Sequence, residues 1–93
     1  MNKRNNSVRV MITGNKNGQT AADEFTEIYR EAFDVIRREF SSFEEALDAA
    51  SEMELTHLLY FKDSENLILA SLADELGGYS LDITVDDLRR VLS

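Results

Sequence analysis

The chain has no cysteine and a single histidine, His57. Without thiols there is no disulfide framework and no thiolate chemistry, and one imidazole cannot assemble a histidine-based metal site. No apolar run approaches the roughly eighteen residues of a membrane-spanning helix. The start, MNKRNNSVRVMITG, has a basic head, but its apolar run is too short for the core of a secretory leader. The expectation is a cytoplasmic protein with no membrane, metal or cofactor. In that setting the Asn5-Asn6-Ser7 sequon carries no expectation of glycosylation. Charge of one sign is missing from one stretch and nearly missing from another. Residues 1–16 hold Lys3, Arg4, Arg9 and Lys16 with no acid, and residues 41–88 hold twelve acids against one base, Lys62, a local charge of −11.

What is present is enough for one core. With 93 residues, 43% of them apolar and eight aromatic, the chain can fold despite its net charge of −8. A chain this short buries roughly 60–65% of its unfolded surface, which leaves little room for a deep, water-excluding catalytic pocket. A non-enzymatic role is therefore expected. Residues 1–7 are polar and without periodicity and read as a disordered tail, and 8–93 read as one domain.

VRVMITG, 8–14, alternates Val8, Val10 and Ile12 with Arg9, Met11 and Thr13 and ends at Gly14, the pattern of a strand. NKNGQ then turns the chain, and Thr20 is placed to cap a helix. Phe25, Ile28, Tyr29, Ala32, Phe33, Ile36 and Phe40 follow at helical spacing, so a helix is expected over 20–40 with Phe25, Tyr29, Phe33 and Ile36 facing the core. Ser41 or Ser42 caps a second helix, 42–53, with Glu44 and Glu45 in its first turn and Phe43, Ala46, Leu47 and Ala50 on one face. TVDDLRRVL gives a last helix over 84–92, capped by Thr84, with Val85, Leu88 and Leu92 aligned.

Residues 55–84 admit two readings. In one, Asp63 or Ser64 caps a helix that Gly77-Gly78 closes, giving a mostly α chain with a helix-turn-helix-like C-terminal half. In the other, strands 55–61 and 67–72 pair across KDSE and a third strand, 79–84, turns Tyr79, Leu81 and Ile83 inward. The strand reading is preferred, because a strand at 8–14 cannot satisfy its own backbone and needs partners elsewhere in the chain. The expected fold is α+β, a small two-layer domain of three or four short strands packed on helices.

No motif commits the chain to chemistry. GNKNGQT, 14–20, joins a strand to a helix as a phosphate loop would, but it has three residues rather than four between its glycines and Gln19 where a P-loop has lysine. His57, in an apolar stretch, reads as a structural histidine at the edge of the core. Asp82, Asp86 and Asp87 lack the alternating ligands, central glycine and closing glutamate of a calcium loop. Read as a DNA-recognition helix, 84–92 would present Asp86 and Asp87 to a polyanion, so nucleic acid is not an expected partner.

The charge map favours a small acidic protein-binding module, a regulator, inhibitor or adaptor, that docks on a protein with a basic surface. Glu44, Glu45, Asp48, Glu52, Asp82, Asp86 and Asp87 are the candidate contact residues. The runner-up is a nucleic-acid mimic that blocks a nucleic-acid-binding protein, which requires its acids in rows on one surface.

Overall fold

The structure, a computed structural model, describes residues 5–72 and 78–92. Residues 1–4, 73–77 and 93, which include Lys3, Arg4, Asp74, Glu75 and Gly77, lie outside the described residues, as do the side chains of residues 5–7, 91 and 92. The elements are β1 (Asn5–Gly14), α1 (Gln19–Tyr29), β2 (Phe33–Arg37), α2 (Phe43–Glu52), β3 (His57–Phe61), β4 (Asn66–Ser71), β5 (Tyr79–Thr84) and α3 (Val85–Leu92). They form a small α+β domain around a five-stranded sheet of order β2-β1-β3-β4-β5. The mostly α alternative falls, because the described residues of 57–84 hold three strands and no helix.

The need for strand partners is met on both sides of β1. It pairs in parallel with β2 and with β3, while β3–β4 and β4–β5 are antiparallel. The chain steps outward from β1 to β2 and then back across β1 to β3. Crossovers of one hand therefore place α1 and α2 on opposite faces of the sheet. One face packs Val10, Ile12, Leu59, Phe61 and Leu67 against Ala21, Ala22 and Phe25 of α1 and Val85 and Leu88 of α3. The other packs Met11, Leu58, Tyr60 and Ala70 against Ala46 and Ala50 of α2 and Leu55. Helices thus cover both faces, where one covered face was expected, and each strand's alternation supplies side chains to both clusters.

The expected helix over 20–40 is corrected. Helix α1 stops at Tyr29, Ala32 N donates to Tyr29 O at 3.0 Å in a turn, and Phe33–Arg37 is the edge strand β2. Phe33 and Val35 join the α1 face while Ile36 joins the α2 face, a period of two that the helical spacing of Phe33, Ile36 and Phe40 conceals. The start of α1 differs too. Gly18, not Thr20, is the N-cap and no side chain caps it. Strand β1 begins at Asn5, inside the stretch read as a tail. Because Phe33 is only half-buried, Phe33→Ala should cost about 2 kcal/mol in a urea titration, less than a fully buried Phe→Ala.

Two caps match their sequence signals. Ser42 Oγ accepts from Glu45 N at 3.2 Å, and Thr84 Oγ1 accepts from Asp87 N at 3.0 Å. The KDSE turn is made by Asp63, whose Oδ1 accepts from Glu65 N at 2.7 Å and Asn66 N at 2.8 Å. Those bonds, the Glu65 amide foremost, hold the Asp63 carboxyl below its ordinary pKa.

Candidate functional site

The loop after β1 is closed rather than open to a ligand. Gly18 N donates to Asn15 O at 3.0 Å, Asn17 N to Asn15 Oδ1 at 2.9 Å, and Asn15 N to Phe61 O at 3.1 Å. Gln19 Nε2 donates to Gly14 O at 2.7 Å and to Asn15 O at 3.2 Å, and its Oε1 accepts from Arg37. The amides that would cradle a phosphate are thus largely spent inside the turn. The glycine at 18 serves close approach, since a Cβ there would sit 2.1 Å from Phe61 O.

His57 occupies the rim of a cavity of about 360 Å³ walled by apolar side chains including Val8, Tyr29, Phe33 and Leu69. Thr56 Oγ1 donates its one proton to Arg9 O at 2.9 Å and accepts from Arg9 N at 2.9 Å. Its 2.9 Å contact with His57 Nδ1 is then best met with Nδ1–H as the donor. Burial lowers the His57 pKa from its ordinary value. The hydroxyl against the ring commits its proton to Arg9 O and not to the imidazole, and the contact ties His57 to the β1–β3 junction.

The seven acids named from sequence do not share one surface. Glu44, Glu45, Asp48 and Glu52 are exposed on α2. Asp82 lies opposite Ile68 on β5, so it faces the α2 side of the sheet, while Asp86 and Asp87 open α3 on the other side. Between α2 and the start of β5 runs a groove of about 410 Å³, lined by Phe43, Leu47, Asp48 and Ser51 on one side and Gly78, Tyr79 and Ser80 on the other. Glu44, Asp48 and Glu52 recur at i, i+4 and i+8, one row along the helix, and Asp48 carries that row to the groove.

Comparison with protein-family models, with curated proteins and with solved structures finds no match for this chain. The local geometry therefore carries the functional reading.

Most of the chain's bases are already engaged. Arg9 pairs with Asp34, Arg30 with Glu27, Arg37 with Asp23, Lys62 with Asp82, Arg89 with Glu24 and Arg90 with Asp87. Among the described residues no such pair reaches Glu44, Glu45, Asp48 or Glu52. The first two serve the helix: both lie in its first turn, where the dipole favours acids, and Glu45 accepts from Ser41 Oγ at 2.6 Å. Glu52 has no such explanation. It stands in the last turn, where an acid opposes the dipole and no base accompanies it.

Sequence reasoning misplaced two residues that matter here. Tyr79 and Leu81, expected inward, are 53% and 51% exposed, because β5 is the sheet's edge and its α1-side face is only partly covered. Ile83 alone of the three packs against the core. Their alternation was the available signal, and it fixes a shared face without saying whether anything covers that face.

Proposed function

We propose that this chain is a non-enzymatic, cytoplasmic binding module that docks on a basic protein surface through the acidic row of α2 and the groove beside it. The observation that carries the reading is the row Glu44, Asp48 and Glu52, unpaired among the described residues and ending in an acid at the unfavourable end of its helix. A carboxylate held where it does not help the fold, as Glu52 is, is available to steer a cation-bearing partner. Asp86 and Asp87 stand apart, in the first turn of α3 behind its Thr84 cap. Mimicry of a nucleic acid fits less well, since the acids fall on both sides of the sheet.

The test is kinetic. With the full chain immobilised and its captured basic partner purified, changing Glu44, Glu45, Asp48 and Glu52 together to their amides should slow association about tenfold at low salt. Dissociation should change little if these charges lie at the rim. Raising salt to physiological strength should slow the wild type more than the variant. Equal association rates at low salt would mean that the acids serve only to keep chains apart.

A further inference from the structure

We propose that the free edge of β5 receives an extended basic segment of the partner as a sixth strand, an inference that rests on the basic-partner reading above. The hydrogen-bond parity fixes which groups are open. Val85 N donates to Glu65 O at 2.8 Å, and the β4–β5 register continues that pairing through Ile83–Leu67, Leu81–Leu69 and Tyr79–Ser71. In an antiparallel ladder the bonded residues alternate. Tyr79, Leu81 and Ile83 therefore direct their N–H and C=O groups to β4, and Ser80, Asp82 and Thr84 direct theirs away from the sheet. The other side of β4 agrees: Lys62 N donates to Asn66 O and Leu72 N to Thr56 O, which assigns its even-numbered residues to β3.

Among the described residues this edge carries one of the usual protections, the charge of Asp82, and lacks the others. Exposed edges are commonly blunted by proline, lysine, bulges or very short strands. The chain has no proline, YSLDIT has no lysine, the strand is six residues long, and its register with β4 runs from Tyr79 to Thr84 without a shift.

The flanking side chains select the occupant. On the α1 side an added strand meets the exposed Tyr79 and Leu81, which call for apolar residues. On the α2 side it meets Asp82 and the groove wall that carries Asp48, which call for lysine or arginine. Lys62 holds Asp82 at 2.9 Å, but that pair is exposed, and exposed pairs hold weakly enough for a partner cation to share the carboxylate. A second copy of the chain is a poor occupant. Two-fold pairing of β5 about Asp82 would set that carboxylate against itself, pairing about Leu81 would leave the two Asp82 residues as diagonal neighbours, and either joins two chains of net charge −8. The segment that fits alternates basic and apolar residues, one set for each side of the sheet.

The probe is a synthetic peptide alternating lysine with valine, added to the full chain at low salt. Two controls have the same residues, one in block order and one alternating but N-methylated along its backbone. Binding of the alternating peptide should slow hydrogen exchange at the Ser80, Asp82 and Thr84 amides. Both controls, and the Leu81→Lys variant with the alternating peptide, should bind about tenfold more weakly or worse. Equal binding of all three peptides, with shifts confined to α2, would overturn the edge assignment and leave the basic-partner reading standing. Absence of protection at β5 with the alternating peptide overturns it as well. A peptide-free dimer with those amides already protected would make a second copy the occupant instead.

Discussion

Phe25→Ala should remove about 3–5 kcal/mol of unfolding free energy, the range for a fully buried aromatic cut to alanine. Phe25 has no exposed surface and sits where α1, β3 and α3 meet. Its ring stacks on Phe61 with centroids 5.4 Å apart and meets the edge of Tyr29 at 6.3 Å. Above it lies the Arg89 guanidinium, 5.2 Å from the ring centre and held by Glu24. That hydrogen bond lowers the Glu24 pKa. Deleting the ring therefore opens a cavity under three elements at once, which cannot all collapse into it. Marginal stability of roughly 5–15 kcal/mol makes such a loss visible as a large fall in the urea midpoint. A midpoint shift no greater than that of Phe33→Ala would mean that α1 is not docked as described.

Gly18→Ala should cost about 3 kcal/mol, although it adds only a methyl group, because Gly18 is the buried corner of its turn. The new Cβ would lie 2.1 Å from Phe61 O, 2.6 Å from Phe61 C and 2.8 Å from Phe61 Cβ. Two of those atoms are backbone at the end of β3, so no rotamer change relieves the contact. Either the 15–18 turn or the β1–β3 register must move. Lys16→Ala in the same turn is the control, exposed and expected within about 0.5 kcal/mol of wild type. A small effect for both variants would show that the turn does not press on β3.

The elements legible in the sequence are those whose local chemistry has a single solution. Ser42 and Thr84 announce their helices, and Val8, Val10 and Ile12 announce a strand. Asp63 is different, because a carboxylate accepting from the amides two and three residues ahead makes a helix cap or a hairpin turn with the same bonds. There the unpaired first strand decided correctly. Strand β2 was concealed because Arg30, Glu31 and Ala32, which make the turn after α1, include no glycine, proline or asparagine. The chain's acids were visible as charges, but which of them are paired was not. Glu24 meets Arg89 across 65 positions and Asp82 meets Lys62 across 20, contacts that only the sheet order creates.

The most direct test of the binding surface is a map of amide hydrogen exchange in the full chain, alone and with its basic partner bound, at low and physiological salt. The expected result is protection concentrated on residues 44–52 and 78–84, fading as salt rises. Protection centred instead on the cavity at Val8, Phe33 and His57, or on the outer faces of α1 and α3, would contradict it.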